Sequence, residues 1–164
     1  MRRTGLALLL TAATAAAGCG GGGGGSGTSA TAGGTSSKTG STSPAQFRSQ
    51  VSQLCTQAQQ KIDSVPKPKT ATAIVPFINK TMAVAKPYVD KLAAIDPPSN
   101  FAGQYKQIVS LNRQELALLS HTKSALSGSG NPVQVIRKFQ AQANKLSSSE
   151  DAKWRQIGVP KCAS

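Results

Sequence analysis

One histidine and six acidic residues, against 19 Lys and Arg, are all that this chain of 164 residues offers for metal binding or acid–base chemistry. A di-iron bundle needs four Glu and two Glu-x-x-His motifs, and the only glutamates are Glu115 and Glu150. Six glycines stand in a row at residues 20–25, but no Gly-Lys-Ser or Gly-Lys-Thr follows them, so a phosphate-cradling loop is excluded. Long apolar runs are missing too. The longest near the N-terminus covers residues 6–17 and as a helix would rise about 18 Å, short of the roughly 30 Å of a hydrocarbon core. No alternating run of β-branched residues is long enough to build a sheet. What remains is helical pattern with few reactive groups, and the expectation is a non-catalytic protein without cofactor or metal.

The N-terminus carries the most specific signal. Arg2 and Arg3 precede the apolar stretch, which closes on Ala16, Ala17, Gly18 and Cys19. A positive start, a short apolar run and small residues before a cleavage point make an export signal. Its ending resembles the signal of bacterial lipoproteins, a box of Leu, a small residue, Ala or Gly, then Cys, with Ala16 standing where Leu is usual. The resemblance implies that residues 1–18 are removed and that the Cys19 sulfur receives a diacylglyceryl group. Two acyl chains, at about 0.8 kcal/mol per buried methylene, make such an anchor persistent. The alternative is cleavage after Ala17 by the ordinary signal peptidase, releasing a soluble secreted protein.

Cysteine parity favours the lipid. Three cysteines, Cys19, Cys55 and Cys162, leave one thiol to explain in an exported chain. With Cys19 acylated, Cys55 and Cys162 are free to pair in an oxidising compartment. His121 is then the only residue left for a zinc site that would need four ligands.

Residues 20–43 contain ten Gly, six Ser, five Thr, two Ala and one Lys. Nothing there can be buried, so residues 19–43 read as a lipidated cysteine plus a flexible tether, with a root-mean-square span of about 27 Å. Residues 44–164 are a usual size for one domain, and their 16 basic and six acidic side chains leave a formal charge of +10. The basic residues are spread along the chain among Gln, Ser and Asn. That pattern suits a solvated surface with long-range attraction to anionic lipid or envelope polymer. Nucleic acid is not an expected partner outside the cytoplasm; the membrane, an envelope protein or an anionic polymer is.

Apolar spacing predicts four helices. The first carries Phe47, Val51, Leu54, Ala58, Ile62 and Val65, and Pro66 and Pro68 stop it. The second runs through Ile74, Ile78, Met82, Ala85, Val89, Leu92 and Ile95 to Pro97 and Pro98. Pro87 lies inside it and predicts a kink, while Pro76 fits either a first turn or a second kink. A third, capped by Ser99 or Asn100, carries Phe101, Tyr105, Ile108, Leu111, Leu118 and Ala125, and ends at Gly128. Asn131 and Pro132 start the fourth as cap and first residue, ahead of Val133, Ile136, Phe139, Ala143, Leu146, Trp154 and Ile157. Short connections make this an all-α, up-down-up-down four-helix bundle. Helix four then lies beside helix one, and the tail after Gly158 turns back to bring Cys162 to Cys55. Phe47 and Phe101 should plug one end, Phe77 and Phe139 the other.

Across these positions the chain also resembles small actinobacterial-type lipoproteins with a helical extracytoplasmic domain. The shared features are a Cys in the first helix, a Pro-x-Pro stop at Pro66 and Pro68, a Pro-Pro break at Pro97 and Pro98, and an ending like that at residues 157–162. The resemblance implies a fold and a compartment, and no chemistry. The expected function is therefore a lipid-anchored envelope protein whose bundle binds a partner protein, an envelope polymer or a small ligand.

Two other functions need specific residues. A haem or electron-carrier bundle would use His121 and Met82 as axial ligands, although Met82 fits the second helix as core and His121 sits at a stripe edge. A hydrolase would need at least two of Asp63, Asp90, Asp96, Glu115, Glu150 and Asp151 to meet in one pocket. Glu150 and Asp151 are adjacent and point differently, and Asp96 stands at a helix end, so helix-end placement explains these acids without catalysis; all six dispersed on the surface would count against a hydrolase. Replacing Cys19 with Ala should move the protein from the membrane fraction to the medium with its helical circular dichroism unchanged. Retention in the membrane would refute the anchor.

Overall fold

The computed structural model describes residues 42–128 and 130–163. The signal segment 1–18 and most of the tether 19–43 lie outside the described residues. Four helices fill the described part: α1 (Pro44–Asp63), α2 (Ile74–Ala93), α3 (Ala102–Gly128) and α4 (Pro132–Gln156), with short 3-10 turns at Ala71–Ala73 and Pro160–Cys162. No strand occurs among the described residues.

Local chemistry sets each start. The Ser43 hydroxyl accepts from the Gln46 backbone N–H at 3.3 Å, and the Gln46 side chain accepts from the Ser43 N–H at 3.2 Å, a reciprocal capping box. The Asn131 side-chain oxygen accepts from the Gln134 N–H at 3.1 Å, with Pro132 in the first position of α4. Pro76 belongs to the first turn of α2, where a missing N–H costs nothing. Pro87 sits within the same helix, which continues through it to Ala93, although proline leaves the Ala83 carbonyl without its usual partner.

Successive helices are neighbours: α1 meets α2, α2 meets α3, and α3 meets α4. Phe47 at the start of α1 stacks with Phe101 ahead of α3 at 5.8 Å between ring centroids and meets Tyr105 edge-on at 5.0 Å, so α1 and α3 begin at the same end. Leu92, Trp154 and Ile157, from the far ends of α2 and α4, complete that cluster. The Tyr105 hydroxyl donates to the Leu92 carbonyl at 2.8 Å, which satisfies its one polar atom in an apolar setting. The opposite end holds a second cluster of Ile78, Leu119, Phe139 and Ala143, with Phe77 and Phe139 lining one small cavity there.

The seam between α1 and α4 is the loosest of the bundle. Their approach is at most slight, and the C-terminal turn fills the place of that contact. Trp154 and Arg155 accept through their carbonyls from the N–H groups of Val159 at 2.9 Å and Gly158 at 3.1 Å, a Schellman ending for α4. Gly158 takes φ 76°, and a Cβ there would lie 2.9 Å from Arg48 Nε. Arg48 Nε donates to the Ile157 carbonyl at 2.8 Å, and its guanidinium lies 4.8 Å from the centre of the Phe101 ring. The tail reversed in this way places Cys162 against α1, where it is bonded to Cys55 with the two Cα atoms 5.3 Å apart.

The bridge spans 107 positions of sequence. Closing a loop of that size contributes about 4 to 5 kcal/mol in the chain-entropy treatment. Replacing both cysteines with serine should lower the melting temperature by about 10 °C or more. An unchanged melting curve under reduction would show that the tail is held without the bond.

Candidate functional site

The loose α1–α4 seam leaves a cavity of about 110 Å³, walled by all four helices and by the disulfide itself. Its position follows from residue size. Ala58 on α1, Ala85 on α2 and Ser147 on α4 line it, and they stand on inward faces where bulkier side chains would fill the gap. The cavity separates the two apolar clusters, so the core is divided by a polar layer halfway along the bundle.

Two helices carry that layer. The inward row of α3 continues from Phe101 through Tyr105, Ile108, Asn112, Glu115, Leu119 and Thr122 in alternating steps of four and three. Glu115 is buried on this row, with 8% of its surface exposed. The apolar series through Leu111, Leu118 and Ala125 drifts off the row: Leu111 and Leu118 are half-buried and Ala125 is exposed. On α4 the inward row is Phe139, Ala143, Ser147, Glu150 and Trp154.

Glu150 is the hub of the layer. Its Oε1 accepts from Asn112 Nδ2 at 2.7 Å and from Trp154 Nε1 at 2.6 Å, joining α3 to α4 and holding the indole in place. Asp151, half-buried, faces the same cavity and lies 3.8 Å from Arg155 on the exposed side of α4. Glu115 makes no hydrogen bond to the described residues. The six carboxylates are not all dispersed on the surface: Asp63, Asp90 and Asp96 are exposed, whereas Glu115, Glu150 and Asp151 line one cavity. Adjacent positions on a helix diverge by about 100°, and the cavity is wide enough to be lined by both Glu150 and Asp151.

Burial governs their protonation. Glu115 is pushed up to about 8, first by loss of solvent and then by the nearby negative charges of Glu150 and Asp151. Glu150 is pushed up to about 7 by burial, with the hydrogen bonds from Trp154 and Asn112 opposing the shift and Asp151 adding to it. Both acids therefore hold a proton over part of the neutral range.

The other residues singled out in the sequence lie elsewhere. His121 is exposed on α3, while Met82 is half-buried against the second cluster. Cys55 and Cys162 line the cavity as a disulfide; Cys19 lies outside the described residues. Among the described residues, no group of three or more His, Cys, Asp or Glu is placed to hold a metal ion, and no helix is long and apolar enough to cross a membrane. No family model, no curated protein and no solved structure matches the chain.

A carboxyl whose folded pKa lies above its unfolded value binds more protons when folded, so stability falls as pH rises between the two values. For Glu115 that window runs from about 4.5 to about 8. Glu115→Gln should leave stability nearly unchanged near the lower limit and raise it by several kcal/mol, at most about 5, above the upper one. Urea unfolding of both proteins across the window measures the difference, and parallel curves would place Glu115 in water.

Proposed function

We propose that this chain is a lipid-anchored protein of the bacterial cell envelope whose helical domain binds a small ligand in the cavity between α1 and α4. The observation that carries the reading is the cavity itself. A four-helix bundle ordinarily closes its last seam with side chains from the first and last helices. Here that seam is left open in the middle and covalently fixed at one end, with a wall that is mostly apolar and holds a few convergent polar groups. That composition is typical of ligand sites. The export signal and Cys19 support the location, and the Gly, Ser and Thr tether supports a domain held clear of the headgroups. A non-catalytic role is in keeping with the scarcity of reactive side chains.

Convergence of Glu115, Glu150 and Asp151 favours a second reading, general acid–base chemistry on the bound molecule. Turnover of chromogenic glycosides or esters that disappears in both Glu115→Gln and Glu150→Gln would establish it over binding alone.

The test of the binding reading uses the cavity wall. Ala58→Phe adds a ring to the α1 side, where the native residue is only half-buried. Compounds from a charge-balanced fragment library that raise the melting temperature of the native protein should lose that effect in Ala58→Phe. A library with no stabilising member, or one acting equally on both proteins, would remove the cavity as a site.

A further inference from the structure

We propose that the ligand is a small organic cation, a protonated amine bearing a compact apolar group, seated between Glu115 and Glu150. The proposal rests on the ligand-binding reading above and names the chemistry of the molecule that fills the site.

Charge distribution is the first argument. The chain has 19 basic and six acidic residues, yet half of the acids line this cavity and no Lys, Arg or His does. The second is the state of Glu115. A carboxyl only 8% exposed, facing the cavity and without a hydrogen-bond donor from the described residues, is an arrangement that folding alone disfavours. Glu150 receives both of its donors on Oε1, which leaves Oε2 for a ligand. An ammonium group has three donors and no acceptor, so it matches Glu115, which lacks a donor, and the second oxygen of Glu150.

The rest of the wall suits an apolar body. Leu54, Val89 and Leu116 supply aliphatic surface, and Tyr88 and Trp154 supply rings, whose faces also attract cations. The cavity measures about 110 Å³, near the size of an engineered protein cavity of about 150 Å³ that takes up benzene. A ring or a short branched chain fits. The net positive charge of the domain repels cations at long range, so selection here is by paired, desolvated carboxylates.

Cation entry favours the ionised acids and releases protons, so binding tightens as pH rises through the neutral range. The groups that face the cavity and set this behaviour are Glu115 on α3, Glu150 and Asp151 on α4, with Arg155 against Asp151, and Tyr88 on α2. From α1 only the neutral Gln59 contributes a polar side chain besides the bonded Cys55.

Trp154 is the only tryptophan of the chain and reports directly on the site. The full chain in detergent is titrated with benzylammonium, benzyl alcohol and benzoate at about pH 6 and about pH 8, following Trp154 emission and heat of binding. Benzylammonium should bind about tenfold tighter than benzyl alcohol at the higher pH and weaken about tenfold at the lower one, with no response to benzoate. Glu115→Gln should lose about tenfold for the amine and nothing for the alcohol. Asp151→Asn, at a less buried position, serves the same comparison if Glu115→Gln does not fold. Equal binding of amine and alcohol, tighter binding of benzoate, or an amine affinity indifferent to the acids would overturn the cation proposal while leaving the cavity a binding site. Silence of Trp154 and of the calorimeter to all three compounds would overturn both.

Discussion

The covalent link between Cys55 and Cys162 carries the geometry of this bundle. The backbones of the first and last helices stay apart, so the seam between them is closed by the aromatic cluster that Phe47 and Trp154 share and by a reversed tail and a bond. The reversal depends on one residue. Gly158, at φ 76°, has the left-handed conformation that completes a helix ending, and its missing Cβ leaves room for Arg48 to reach the Ile157 carbonyl. Tail, bond and arginine therefore act together: each positions the next, and the aromatic cluster around Phe47 and Tyr105 packs beneath them.

Fixing one end of the seam has a consequence at its middle. With α1 tethered to the tail, the helices need not collapse onto one another there, and small side chains at Ala58 and Ala85 persist without filling partners. The resulting polar layer divides the core into two apolar clusters. Buried acids without full hydrogen bonding are costly, and Glu115 is such an acid. Departures from a consistent apolar core concentrate where a protein binds or reacts, and in this molecule the departure, the cavity and the disulfide occupy one place.

Much of the fold was legible in the chain, and the reasons are local. Stripes such as Phe47, Val51 and Leu54, stops such as Pro66 and Pro97, and the Asn131 and Pro132 start are short-range signals that tertiary structure rarely overrides. The phenylalanine placement followed from antiparallel order alone. The site was less legible because it interrupts those signals. Following only apolar residues along α3 leads to Leu111, Leu118 and Ala125, whereas holding the step of four and three from Phe101 leads to Asn112 and Glu115. A charged residue on an inward row reads as a register error unless the row is extended through it. The separation of α1 from α4 was beyond sequence reasoning, since it arises from where the tail packs.

Anchor and cavity also bear on each other through charge. If the chain is anchored as proposed, a domain of net charge +10 would be drawn toward anionic headgroups, which gather cations within about a Debye length of the surface. The basic exterior and the acidic interior then serve different steps. Scattered lysines would favour such a surface under that proposal, and they supply no competing charge inside the cavity because none of them lines it. A chain that placed its few acids on the outside would weaken that surface attraction and leave the cavity without a charge to select by. Concentrating half of the acidic residues in this cavity would satisfy both demands.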